Sequence, residues 1–259
     1  MSRVTDRLSN NQSIIDIAKK QYEQKQHQNK MPGNSVPIPS KGLIYPENHP
    51  LRSGQIEIRQ MTAYDEDILT NSTYIKQGLV LQKLLSELIV TPGVNVDDLP
   101  VFDQEAILIS ARIFAYGDDY PIVALDPKSG NQLERTIKLS TLKFKPFNLT
   151  DNGNGEFDFQ IDDNNFKFKF LNNSETSTIG ENNLISKYLS LTIQEINGNR
   201  DKTYINDYIK FQLKPIDSKK LRDYITNNLP GLDYDVNIEG EDGSTFTTRF
   251  QYNSEFFRV

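Results

Sequence analysis

The 259-residue sequence contains no cysteine, no tryptophan and only two histidines, His27 and His49. These absences exclude a disulfide framework, a thiolate zinc site, a cysteine nucleophile and a multi-histidine metal centre. Long hydrophobic runs are missing too: the most apolar stretches, Leu79 to Val90 and Ala106 to Tyr116, are broken by Gln82, Lys83, Glu87 and Arg112. Neither approaches the roughly 18 uninterrupted apolar residues of a spanning helix. The first eleven residues lack an apolar core of signal-peptide length, so the chain is expected in the cytosol, or outside the cell only within an assembly. Positive charge is in deficit, with 29 Lys and Arg against 35 Asp and Glu, which argues against a nucleic-acid partner held by neutralised phosphates. No Gly-Lys-Ser/Thr phosphate loop, dinucleotide glycine fingerprint or Gly-x-Ser-x-Gly elbow is found. What remains is 36% hydrophobic and 25% charged, an ordinary soluble composition long enough to bury a sizeable core.

Periodicity divides the chain into four expected segments. Residues 1–55 read as an N-terminal arm, helical where Ile14, Ile15, Ile17, Ala18 and Tyr22 fall near helical spacing, then extended where five prolines lie between Met31 and Pro50. Residues 56–145 read as a three-helix block with a hairpin. A helix opens at Thr62 and Asp65, a second spans Tyr74 to Ile89, and a third runs from Asp103 to Tyr116 before Gly117. Two strands, Tyr120 to Leu125 and Gln132 to Leu139, follow around Asp126-Pro127-Lys128-Ser129-Gly130. Residues 146–180 carry an inserted hairpin in which Phe157, Phe159, Ile161, Phe166, Phe168 and Phe170 share one face, with acids opposite lysines on the other. Residues 181–259 return to helix over Asn182 to Glu195, Thr203 to Leu213 and Lys219 to Asn228, then end in a β region around Glu239 to Gly243. The expected class is α+β: two helical blocks, each followed by a small β-hairpin or ribbon.

Chemistry-bearing constellations are few. Asp65, Glu66, Asp67, Asp118, Asp119, Asp162 and Asp163 could supply a carboxylate pair, but neighbours in sequence define no separation across a cleft, and turns or helix starts explain them better. Asp151 to Gly155 resembles a calcium loop without its bidentate glutamate. Alternating Phe and Lys in residues 166–170 puts rings and charges on opposite strand faces, which fits a core strand rather than a nucleic-acid platform. Arg112, inside an apolar helix, reads as an internal ion-pair partner or a snorkelling residue. Each helical block leads into a turn of the form acid-x-x-Ser/Asp-Gly, Asp126 to Gly130 and Glu239 to Gly243, with zinc-knuckle spacing but no thiols.

Pro39-Ser-Lys-Gly-Leu-Ile-Tyr-Pro46, Ile58 to Thr62 leading to Glu66 and Leu69, Phe102-Asp103 to Arg112, Tyr116-Gly117, Leu229-Pro230-Gly231-Leu232-Asp233 and Phe256-Phe257-Arg258 occur in an ordered series. In that order the chain resembles the baseplate hub and hub-assembly protein family of T-even-type, contractile-tailed bacteriophages. The resemblance implies a non-enzymatic tail protein, a hub subunit or an assembly factor, found in the host cytoplasm during assembly and in the virion tail. Its partners would be other hub or tail proteins, with an oligomer within the baseplate allowed, no nucleic acid and no membrane insertion. Relatives often place paired cysteines at the two turns; here Asp126, Ser129, Glu239 and Asp242 stand there, so no zinc and no other cofactor is expected. Partner-binding is expected from Ile14, Ile15, Ile17 and Tyr22 of the arm and from Leu43, Ile44 and Tyr45, apolar residues on a stretch with little of its own to pack against. The rival class is a carboxylate-dependent, tail-associated hydrolase acting on cell wall.

Overall fold

The computed structural model describes residues 33–180, 184–252 and 256–257. Much of the Pro-rich stretch expected in an arm belongs instead to the core. Strand β1 (Asn34–Pro37) pairs antiparallel with β2 (Gln55–Ile58), and Val36, Ile38, Ile56 and Ile58 are buried. Pro37 is tolerated because it ends the strand, and the next amide, Ile38, donates to Gly54 O at 3.0 Å. Left-handed Lys41 and Gly42 turn the intervening loop back on itself.

Helices α1 (Ala63–Thr70), α2 (Ser72–Gln77) and α3 (Val80–Leu88) precede the long α4 (Val101–Tyr116). At α1 the Asp65 carboxylate accepts the Thr62 amide at 2.7 Å, closing the expected start. The single helix expected over Tyr74 to Ile89 is two, because Gly78 takes φ +69° and ends α2. Behind α4, β3 (Asp119–Leu125) and β4 (Gln132–Lys138) form the expected hairpin, with Pro121 opposite Thr136. The two-residue β5 (Lys143–Phe144) follows.

The phenylalanine hairpin, β6 (Phe157–Ile161) and β7 (Asn164–Phe168), has the expected register: Phe157 faces Phe168, and Asp158 faces Lys167 with their charges 2.8 Å apart. After the short α5 (Asn173–Ser177), helix α6 (Leu184–Thr192) ends earlier than expected, and β8 (Ile193–Ile196) joins β7 as a third strand. Burial of Ile193 and Ile196 against the phenylalanine face decides a stretch whose apolar spacing is mixed. Helices α7 (Lys202–Phe211) and α8 (Pro215–Asn227) follow, α8 starting at its proline rather than at Lys219. The chain closes with β9 (Leu232–Asp233), β10 (Asp235–Glu239) and β11 (Thr245–Arg249).

The class is α+β, eight helices with small antiparallel sheets among the described residues. Two hydrophobic clusters organise it, and they cut across the four expected segments. The first gathers buried residues between Val36 and Leu139 together with Leu232, Val236, Ile238, Phe250, Phe256 and Phe257. The second holds Phe147 to Phe170 and Leu189 to Ile225. The terminal β region therefore belongs with the first cluster, tied back to it by β5 pairing with β9, while the second cluster is formed by the chain between those two strands.

Candidate functional site

The segment Pro39 to Pro46 is the latch between the clusters. Ser40 donates through its amide (3.1 Å) and hydroxyl (2.8 Å), and the Tyr45 hydroxyl donates at 2.8 Å, all to the fully buried Asp103 carboxylate in the first turn of α4. Burial lifts Asp103 to about 6 against the pull of these donors, and burial together with Asp103 pushes the Tyr45 hydroxyl far up. Lys41 Nζ donates to Phe147 O at 3.1 Å in the second cluster. Arg52 donates to the carbonyls of Leu43 and Tyr45 and grips both oxygens of Asp151 at 2.8 and 3.1 Å. Burial alone would raise Asp151, but Arg52 and the Gly153 amide bring it below the ordinary carboxylate range. The calcium-loop-like segment Asp151 to Gly155 thus spends its leading carboxylate on Arg52.

This arrangement corrects the premise that Leu43, Ile44 and Tyr45 have little to pack against. Tyr45 is 5% exposed and stacks on His49, while Leu43 and Ile44 are half-buried against the clusters. Ile14, Ile15, Ile17 and Tyr22 lie outside the described residues.

The two knuckle-like turns, far apart in sequence, meet. The Asp126 carboxylate accepts the Glu241 amide at 3.0 Å and the Lys128 amide at 2.8 Å, and these donors hold it below its ordinary range. Lys128 Nζ reaches Asp242 (2.8 Å) and the Ser244 hydroxyl (2.9 Å), Asn131 donates to Glu241, and Arg135 Nε donates to Glu239 O at 2.8 Å. A zinc knuckle needs four soft donors converging on one point, whereas here the oxygens face amides and an ammonium. These residues do not fit the ion. Among the described residues, no group of three or more His, Asp or Glu is placed to hold a metal.

Where the clusters meet, α4, the Leu229 to Tyr234 stretch and α6 enclose a mainly apolar cleft of about 350 Å³. Phe102, Phe170, Tyr188 and Leu232 line it, Phe102 and Phe170 meeting edge to face at 6.1 Å, while Val101 and Leu229 form an exposed rim. Lys145 and Glu105 supply its charged groups, and Glu105 accepts the Tyr234 hydroxyl at 2.8 Å; burial and then this carboxylate push that phenol up. Leu229-Pro230-Gly231 and Phe102 were conspicuous in sequence, but that they share a cleft depends on the long-range β5 to β9 pairing.

A family model described as T4 bacteriophage base plate protein matches residues 44–258, which takes in the end of the latch from Ile44 onward, both turns and the whole cleft. The chain belongs to this family. No curated protein and no solved structure matches it.

In this baseplate protein the carboxylates weighed as catalytic pairs are dispersed. Asp65 binds Arg59 bidentately at 2.7 and 2.8 Å, Glu66 accepts from Tyr116, Asp118 from Ser140 and Asp119 from Lys138, while Asp162 occupies the tight turn between β6 and β7. Arg112 proves to be internal: its Nε donates to Phe256 O at 3.1 Å and its guanidinium lies 4.7 Å over the Tyr116 ring. Among the described residues, no helix of the baseplate protein is long and apolar enough to cross a membrane.

Proposed function

We propose that the protein is a non-enzymatic component of the central hub of the baseplate, a subunit or an assembly factor that works through contacts with neighbouring tail proteins. The observation that carries this reading is the family match across both hydrophobic clusters. The most shielded carboxylates, Asp65, Asp103, Asp126 and Asp151, support it, since each answers to structural donors. The acidic balance favours protein over nucleic-acid partners. Quantitative mass spectrometry of purified virions is the test. A fixed stoichiometry marks a hub subunit; absence from virions that cannot form a hub without the chain marks an assembly factor. Complete hubs built without the chain would sink the proposal.

The arm, with Ile14, Ile15, Ile17 and Tyr22, is the proposed contact with hub partners, joined by the partly exposed Leu43 and Ile44. Deletion must stop at residue 32, because cutting to residue 45 removes β1, Ser40 and Tyr45 from the core. The shortened chain is expected to fold normally and to lose co-purification with hub proteins, and undiminished co-purification would reject the arm as the contact.

A further inference from the structure

We propose that the cleft between the clusters is the seat of the chain's own amphipathic arm segment, Ile14 to Tyr22. Three observations on different footings converge on this occupant, and the inference rests on reading the arm as the protein's contact element.

The first is chemical fit. The cleft presents Phe102, Phe170, Tyr188 and Leu232 behind an exposed rim of Val101 and Leu229, an apolar surface with one acid, Glu105, and one base, Lys145, in its lining. Ile14, Ile17 and Ala18 stand at i, i+3 and i+4, with Ile15 and Tyr22 beside them, the stripe an amphipathic helix inserts into such a groove. The second is reach. Ser40 is anchored 3.1 Å from Asp103, next to Phe102, so Gly33, seven residues earlier, lies within about 25 Å of the cleft. Tyr22 stands eleven positions before Gly33, a tether of up to about 36 Å. A segment tethered at that range docks as an intramolecular event, favoured by a high effective concentration. The third is charge. The first 32 residues carry six Lys and Arg against three acids, whereas the whole chain stands at −6, leaving −9 on residues 33–259. A basic arm is drawn toward an acidic body.

The absence of cysteine makes the test direct. In the full-length chain, Lys19→Cys is combined with Thr176→Cys, an exposed residue lining the cleft, and disulfide formation is followed under mild oxidation. The expected result is an intramolecular bond whose yield does not change over a tenfold dilution and falls about tenfold when Ile14→Asp and Ile17→Asp are added. Val101→Lys, on the exposed rim, is expected to act in the same direction, with thermal melts confirming that the fold persists. Bonds formed only between chains, no bond at all, or a yield indifferent to the Asp substitutions would each overturn cis docking. Such a failure leaves the baseplate reading standing, because virion composition tests that separately.

Discussion

Asp103 shows how much a single residue can hold. In sequence it is a plausible helix-opening acid, as is Asp65, and nothing local distinguishes the two. Their surroundings do: Asp65 gains a bidentate arginine and is held below the ordinary range despite its burial, while Asp103 has only neutral donors and rises to about 6. The sign of the consequence follows. A folded-state value above the ordinary 3.8 means that the folded chain binds the proton more tightly. The stability Asp103 contributes is therefore complete below about pH 4 and lost as pH rises through about 6. Asp103→Asn has no such titration. Between pH 4 and 7 the difference in unfolding free energy should move in the variant's favour by on the order of 2–3 kcal/mol, as measured by urea titration at several pH values. A difference that stays flat with pH would show that the three donors offset burial in full.

Elements were legible where one face or one turn decided them. The phenylalanine hairpin followed from alternation alone, and Asp158 opposite Lys167 was readable before any fold was known. Helix α6 gave a false length because the apolar spacing is mixed: Leu184, Ile185, Tyr188 and Leu189 repeat at i+4 whereas Leu189, Leu191 and Ile193 alternate, and the partner that converts Ile193 to Ile196 into a strand lies some 25 residues away. Glycines illustrate the same division. Gly78 and Gly155 both adopt positive φ, +69° and +73°, but a Cβ on Gly78 meets open space whereas one on Gly155 would lie 2.1 Å from Ile44 O in the latch. Gly78→Ala should cost about 1 kcal/mol, the left-handed penalty alone. Gly155→Ala must also push two backbones apart and should cost about 3 kcal/mol or more. Chemical denaturation of the two variants side by side checks the contrast, and equal losses would mean that the latch yields freely.

At the scale of the whole molecule, the arrangement was the least visible in sequence, because two residues of β5 and two of β9 carry the long-range pairing that sends the terminal β region back to the first cluster. Local periodicity contains no trace of a pairing across that distance. This topology makes the clusters separable in one direction. A chain ending at Asn228 loses Leu232, Val236, Ile238, Phe250, Phe256 and Phe257 from the first cluster, yet keeps every buried residue of the second, which ends at Ile225. At roughly 1.5–3 kcal/mol for each fully buried side chain, six such losses match or exceed the 5–15 kcal/mol that holds a typical domain folded. The first cluster should therefore open. The second keeps its β6 to β8 sheet and its packing against α6, α7 and α8, losing only the contacts from Leu43, Ile44 and Phe102 at its boundary. Amide hydrogen exchange on the truncated chain should show rapid exchange through β1 to β4 with slow exchange retained in β6 to β8. Simultaneous loss of protection in both regions would instead mean that the latch, through Arg52 and Asp151, couples the clusters into one cooperative unit.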